Sequence, residues 1–312
     1  MIYMINKIVA IQGDQLSKLN PKTDTSIYLA IGAQKLKYKI FYYEPSNLSI
    51  IGNKVVAKGH FVIFNYSKKK FFKIVKEKTI DLSISKFLLI RQNPPFNLEY
   101  ISTTYILDKI KKKVKIINNP TSIRNVSEKL YSSLFQKYMP NTIFTKDYAE
   151  IVKFFKKNKK IIIKPIHSFG GNDIHFFEKN INKKLVTKFL KKHGHIMCQK
   201  FLPMIKNGDK RVFLFNGKIN GAISRVPKSG SFLSNMSKGA KAISTDLTKI
   251  EIKISNLIGK DLIKNDIYFA GIDFIDQKLN GDINVTSPTG LKTYQDLTGV
   301  DIAKIFWKGL RA

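Results

Sequence analysis

Short apolar runs alternate with stretches whose apolar positions recur every three or four residues. In the first 120 residues, 7–12, 38–44, 87–91 and 114–117 read as strands. Residues 25–36 and 98–113 read as helices, the second ending in lysines that complement the negative end of the helix dipole. Strand and helix alternating in this way predict an open α/β sheet domain. Ligands of such sheets sit beyond the carboxyl ends of the strands. That rule makes Arg91 and the loop 91–96 (RQNPPF) a candidate site, although two prolines also make a rigid turn by themselves.

The polar Asn118-Asn119-Pro120 suggests a boundary. Beyond it, 122–136 is amphipathic and carries Lys129. A second unit follows, with strands at 142–145, 160–165, 173–178 and 195–202, helices at 148–157 and 183–193, and a turn at 166–172. A third unit begins near Asn207, with strands at 211–215 and 219–225, a helix at 246–264 and a last helix near 300–310. Its stretch 227–241 is rich in Ser, Gly and Lys and poor in apolar anchors, and is expected to be a flexible active-site lid. The expected domains are 1–120, 121–206 and 207–312.

The segment 270–290 (AGIDFIDQKLNGDINVTSPTG) reads as two short strands reversing at Asn280-Gly281. Asp273 precedes that reversal, and Asp282 and Asn284 follow it, two apart and so on one strand face. Two carboxylates and an amide oxygen suit Mg²⁺, which takes few protein ligands and completes its shell with phosphate and water oxygens. A surface hairpin with outward polar residues fits the same letters, and the residues alone leave both readings open.

Composition narrows the class. Hydrophobic content of 43% in 312 residues supports a sizeable core. No apolar run approaches the roughly 20 residues of a membrane helix. The N-terminal MIYMINKIVAIQGDQ is expected to be a first strand rather than a signal peptide. The single Cys198 excludes an intrachain disulfide and fits a reducing cytoplasm; in its apolar run it reads as a packed residue. The net charge of +33 would suit nucleic acid, but Lys is scattered through every segment rather than gathered in a stripe, as a solvated surface requires.

Several residues carry chemistry. Lys164 ends the run III and enters a turn holding Gly170 and Gly171, a pattern that lets backbone N–H groups and one cation face a phosphate. Two glycines in a turn equally suit a plain hairpin, and the G-x-x-x-x-G-K-[ST] loop is absent. Gln199, Lys200, Phe201 and Leu202 end a strand where backbone and ring could meet an adenine. Arg211 and Arg225 lie on neighbouring predicted strands and suit fork-like contacts to phosphate or carboxylate.

Taken in order, RQNPPF, SIRNVSEKL, IIIKPIHSFGG, QKFLP, GDKRV, SRVP, GIDFID and NVTSPTG followed by LTGVDIA resemble the bacterial glutathione synthetases, members of the ATP-grasp ligases, over nearly the whole chain. The resemblance implies an α/β (α+β) ATP-grasp fold, with an N-terminal open sheet domain and two sheet-containing domains clasping ATP. It implies ATP-dependent ligation of γ-glutamylcysteine to glycine with Mg²⁺ or Mn²⁺, in a cytoplasmic homo-oligomer that binds neither nucleic acid nor membrane. By resemblance, Lys129 and Lys164 bind the ATP phosphates, Gly170 and Gly171 cover them, and Gln199, Lys200, Phe201 and Leu202 line the adenine pocket. Asp209 lies near ribose and metal, Arg211 and Arg225 act on the transferred phosphoryl group, and Asp273, Asp282 and Asn284 hold the metal. Arg91, Asn235, Ser287, Pro288, Thr289 and Gly290 hold the peptide. Asp282 stands where that family usually has Glu, in a hairpin that reads one residue longer. Leu233, Ser234 and Ala240 replace a usual Arg, Gly and Gly in the lid, His167 and Ser168 a common Asp and Gly, and Lys292 a usual Arg. The alternatives are a related ligase with another acceptor and a basic nucleic-acid-binding protein. Cations converging on one cleft mark a ligase, and a continuous basic stripe with exposed aromatics marks a nucleic-acid binder.

Overall fold

The computed structural model describes residues 7–67 and 70–311; the first six residues of the expected N-terminal strand lie outside them. The first sheet begins with β1 (Ile8–Gln12), α1 (Thr25–Lys35) and β2 (Lys39–Tyr43). It continues through β3 (Leu48–Ile51), β4 (Lys54–Phe64), β5 (Phe72–Asp81), β6 (Phe87–Ile90), α2 (Leu98–Asp108) and β7 (Lys115–Ile117). The parallel core β2-β1-β6-β7 is the expected open α/β sheet. Its strands are buried on both faces, which is why they read as continuous apolar runs. The stretch 45–86, for which the alternation predicts no element, adds β3, β4 and β5 antiparallel to that core. Most of β5 is exposed, and its interspersed lysines hide the pattern.

The boundary region is a tertiary feature. The amphipathic stretch 122–136 is not one element: α3 (Pro120–Asn125) stops at Val126, and a 3₁₀ stretch runs over Tyr131–Tyr138. Lys129 falls in the turn between them. Glu128 lies in the interruption: its Oε1 accepts from Val285 N (2.9 Å), Thr286 N (3.1 Å) and Thr286 Oγ1 (2.8 Å). Asn118 spends its whole side chain on the third unit, donating to the Phe269 and Val285 carbonyls and accepting from Tyr268 N and Phe269 N.

The middle sheet comprises β8 (Thr142–Thr145), β9 (Ile161–Pro165), β10 (His175–Phe177) and β11 (Ile196–Lys200), in the order β10-β9-β11-β8, antiparallel throughout. Helices α4 (Tyr148–Asn158) and α5 (Lys183–His193), capped by Asp147 and Asn182, bury Ile151, Phe154, Val186, Phe189 and Leu190 against Ile161, Ile163, Ile196 and Cys198. Burial pushes the Cys198 thiol up to about 12, so it packs and does not react.

The third sheet takes β12 (Asp209–Phe215), β13 (Lys218–Val226), β14 (Lys241–Ser244), β15 (Phe269–Ile275) and β16 (Lys278–Asn284), in the order β14-β13-β12-β15-β16. It is accompanied by α6 (Lys249–Lys264), α7 (Leu291–Thr298) and α8 (Ile302–Arg311). The β15–β16 hairpin corrects the sequence reading. It reverses at Asp276-Gln277, both left-handed (φ 49° and 62°), and Asn280-Gly281 lies inside β16. Ile272 pairs with Ile283 and Phe274 with Leu279, so Asn280, Gly281 and Asp282 all stand against Asp273. Asn-Gly is here a bulge signal: Gly281 has φ 88°, and an added Cβ would lie 2.7 Å from Met197 Cε. The first and third sheets share one core, in which Phe306 and Trp307 of α8 pack with Phe87, Phe215 and Phe269.

Candidate active site

A cleft of about 1130 Å³ opens between the middle and third sheets, with the first sheet's loops at one end. Of the residues nominated from the sequence, all line it except Arg91 and Pro288. Those two share a small void behind it with Asn118, Phe269 and Thr286. Arg91 is buried there, Nε donating to Ser26 Oγ at 3.2 Å and the guanidinium 5.8 Å from the Phe269 ring, while Nη1 has no partner among the described residues.

β9 brings Lys164 to the cleft wall, where Nζ donates to Gln199 Oε1 (3.2 Å), Asn280 O (3.1 Å) and Asn280 Oδ1 (3.0 Å). Burial depresses the Lys164 ammonium below the ordinary lysine value. Lys129 Nζ donates to the Ser168 carbonyl at 2.6 Å and so anchors the glycine turn, where Gly170 and Gly171 have φ of 64° and 73°. Asp282 stands between the two cations, 3.3 Å from Lys129 Nζ and 4.0 Å from Lys164 Nζ.

On the third sheet the register builds a charge lattice. Asp209 faces Arg225 across β12–β13, and Arg211 faces Asp273 across β12–β15. Arg211 forks onto Asp273 with Nε and Nη2 at 2.8 and 2.7 Å. Arg225 forks onto Asp209 at 2.7 and 2.5 Å, and its Nη2 also lies 3.1 Å from Asp273 Oδ2. Burial alone would raise the Asp273 carboxyl; the Arg211 and Arg225 guanidiniums outweigh it and hold it at about 2. For Asp209, with one fork only, burial wins and raises it. Arg225 stays charged, because Asp209 and Asp273 hold its guanidinium up against its own desolvation.

The donor set at β16 fits a divalent cation. Asp282 and Asn284 share the cleft-facing side of the strand, opposite Leu279, Gly281 and Ile283, which are buried. Asn284 Nδ2 donates to Gly271 O (3.1 Å) and Asp273 Oδ2 (3.3 Å), which leaves its amide oxygen for the cleft. Asp273 Oδ1 accepts one bond and keeps a lone pair. These are hard oxygens, the donor type Mg²⁺ takes, with the Lys129 and Lys164 ammoniums alongside. No group of three His, Cys, Asp or Glu side chains poised for a metal occurs among the described residues, so any ion here relies on Asn284 and on ligand oxygens.

At the far wall Ile162, Ile174, Phe201, Leu202 and Phe232 make an apolar slot, and Phe176 backs Phe201 at 4.5 Å between ring centres. At the first-sheet end, Thr25 Oγ1 of α1 accepts from Gly290 N at 3.1 Å, so the loop Ser287, Pro288, Thr289, Gly290 is pinned where α1 and α7 begin. Sequence reasoning missed Glu128, Asn280, Ser234 and Thr25. The first adjoins Lys129, and nothing in its letters marks it; the second was concealed by reading Asn-Gly as the turn.

Lys129, Lys164, Arg211 and Arg225 converge on one cleft, the arrangement that separates a ligase from a nucleic-acid binder. Solved structures share the architecture. D-cycloserine synthetase DcsG superposes with a TM-score of 0.68 at 11% identity, over 97% of this chain and 98% of that one. The ATP-grasp ligase PsnB, in the structure with a phosphomimetic precursor, Mg and ADP, gives 0.63 at 12%, over 98% and 97%. The D-alanyl-alanine synthetase A of Vibrio cholerae gives 0.59 at 12%, over 97% of each. At such identities the likeness is one of fold, and the fold is that of the ATP-grasp ligases. The family is set by sequence. The model of the prokaryotic glutathione synthetase N-terminal domain matches residues 8–124, and that of its ATP-grasp domain residues 128–299. The glutathione synthetase of Mesorhizobium japonicum is 36% identical over 96% of both chains, and that of Buchnera aphidicola subsp. Baizongia pistaciae 35% over 95% of this chain and 93% of its own. The chain belongs to the prokaryotic glutathione synthetase family and is a ligase that uses ATP and a divalent metal ion.

Proposed function

We propose that the cleft ligates γ-glutamylcysteine to glycine, with residue roles assigned as follows. Lys129 and Lys164 neutralise the ATP phosphates beneath the Gly170-Gly171 turn, and Gln199, Lys200, Phe201 and Leu202 receive the adenine. Arg211 and Arg225, already desolvated and forked onto carboxylates, orient the γ-phosphoryl group as it passes to the dipeptide's glycyl-accepting carboxylate. Asp209 holds Arg225 in place at the edge of the ribose and metal region. Asp273, Asp282 and Asn284 would hold Mg²⁺ or Mn²⁺, which supplies charge neutralisation at the phosphates. Asn235, Ser287, Thr289 and Gly290 face the dipeptide, and Arg91 and Pro288 support that loop from behind. The glycine amine then attacks the acyl phosphate, and phosphate leaves. Residues 227–241, lying over the cleft, keep water from the acyl phosphate. The cytoplasm as compartment and a homo-oligomer as assembly complete the proposal; the lone buried Cys198 supports the former.

The observation that carries this reading is Asp282 between Lys129 and Lys164, facing the Arg211–Asp273–Arg225–Asp209 lattice inside one cleft. The test is phosphate release from ATP with γ-glutamylcysteine and a panel of amines. Glycine should stimulate release and be incorporated one-for-one. A different amine giving the higher kcat/KM makes the protein a related ligase with another acceptor, which the apolar Leu233 in the lid would then explain.

A further inference from the structure

The segment between β13 and β14 has no helix or strand over 227–235, and its composition suggests an active-site lid without saying which end of the cleft it serves. Its contacts point to the nucleotide end. The Phe232 ring lies 6.4 Å from Phe201, edge to face at 88°, and 6.1 Å from Phe176. Leu233 and Asn235 close on the glycine turn so tightly that a Cβ on Gly171 would sit 2.4 Å from Asn235 Oδ1 and 3.5 Å from Leu233 Cδ2. Ser234, 7% exposed, is a neighbour of Asp209 and favours its charged form. Four consecutive residues thus grip β10, the end of β11, the phosphate turn and β12. Phe232 and Phe201 both line the cleft beside Ile162, Ile174 and Leu202.

We propose that Phe232 is a base-recognising residue carried by the lid: its ring completes the apolar slot from the third unit, and a bound purine, packed among Phe201, Leu202 and Phe232, fastens the lid shut. The inference rests on the nucleotide reading above and assigns a specificity role that reading does not contain. A planar base offers a π-face to an aromatic wall wherever a ring edge or face can reach it. The phosphates lie at the other end, on Lys129 and Lys164, so the base alone reports to Phe232. Lid closure is then keyed to the purine, and it is in place before the acyl phosphate forms. Without the ring, nucleotide still binds by its phosphates, but the lid opens more often and water reaches the acyl phosphate.

The experiment compares parent, Phe232→Ala and Phe232→Tyr. ADP and inorganic tripolyphosphate are titrated calorimetrically, and phosphate released per peptide bond formed is measured with ATP. Phe232 sits in a loop outside every regular element, so the variants fold, which a urea midpoint matching the parent verifies. The expected result is an ADP affinity about five- to tenfold weaker in Phe232→Ala and recovered in Phe232→Tyr, tripolyphosphate affinity equal in all three, and a phosphate-to-peptide ratio above one only in Phe232→Ala. Unchanged ADP affinity in Phe232→Ala overturns the proposal and leaves Phe232 as packing. Equal weakening of ADP and tripolyphosphate also overturns it, since the ring would then act on the phosphate turn. A parent that binds neither ligand overturns the nucleotide reading itself.

Discussion

Replacing Lys164 by Ala tests the site at its most buried cation. Lys164 is 3% exposed, and its ammonium holds Gln199 Oε1 and two oxygens of Asn280. Removing a desolvated cation from its anionic partner costs about 2–5 kcal/mol, which for nucleotide phosphates is a loss of roughly 30-fold or more in affinity. Stability should change far less. The Gln199 and Asn280 oxygens lose a donor, at about 1–3 kcal/mol for each group left dry. Against that, the desolvation of one cation and its repulsion from Lys129 vanish. The nearby cleft also admits water to the freed oxygens. The sign of the pH effect follows from the depressed ammonium. In the free protein Lys164 loses its proton below the ordinary lysine range; phosphates restore the charged form, so ADP binding takes up protons at alkaline pH and weakens as pH rises through that depressed value. Calorimetry of ADP binding in buffers of differing ionisation enthalpy reads affinity and proton uptake together. Lys164→Ala should lose both and show no measurable ligation, with a urea midpoint near the parent's. ADP affinity and proton uptake unchanged in Lys164→Ala would refute the argument and reduce Lys164 to a staple between β9 and β16.

Two further outcomes are expected. Asp282→Asn should raise the Mg²⁺ concentration needed for ADP formation, because one negative charge is lost, and Asp282→Glu should slow ligation, because the extra residue that the bulge places opposite Asp273 offsets the shorter reach of Asp and a longer side chain then overshoots; a Glu variant faster than the parent refutes that offset. Asp273, held at about 2 against an ordinary 3.8, contributes stability that is complete above pH 4 and lost as pH falls toward 2, on the order of 2 kcal/mol. The gap between the urea midpoints of the parent and Asp273→Asn should therefore be widest at pH 7, where two buried guanidiniums lose their shared anion in the variant, and narrower at pH 3; an equal gap at both pH values contradicts this.

The cleft-facing residues of β9 and β11 were legible because each follows a buried apolar run. Lys164 after III and Gln199 after IMC are set by period and burial alone. The open parallel sheet was legible for the same reason, since strands covered on both faces carry no polar alternation. The solvent-facing β3–β5 extension was not, because a strand half in water and studded with lysines has no such contrast.

Local chemistry determined which residues are suited to phosphate, metal and base: Lys beside glycines, Asp and Asn two apart, a ring at a strand end. It also determined that a reversal or bulge needing positive φ lies near Asn280-Gly281. Tertiary structure decided which of the two it is. The choice turned on register, since Ile272 and Phe274 must stay paired with Ile283 and Leu279 to remain buried, which puts the turn at Asp276-Gln277 and three residues opposite Asp273. It likewise decided that the amphipathic stretch through Lys129 is interrupted, at the place where Glu128 accepts three hydrogen bonds from the distant residues 285 and 286. Partners separated by more than 150 residues leave no periodicity in the chain, and only folding brings their atoms within hydrogen-bonding range.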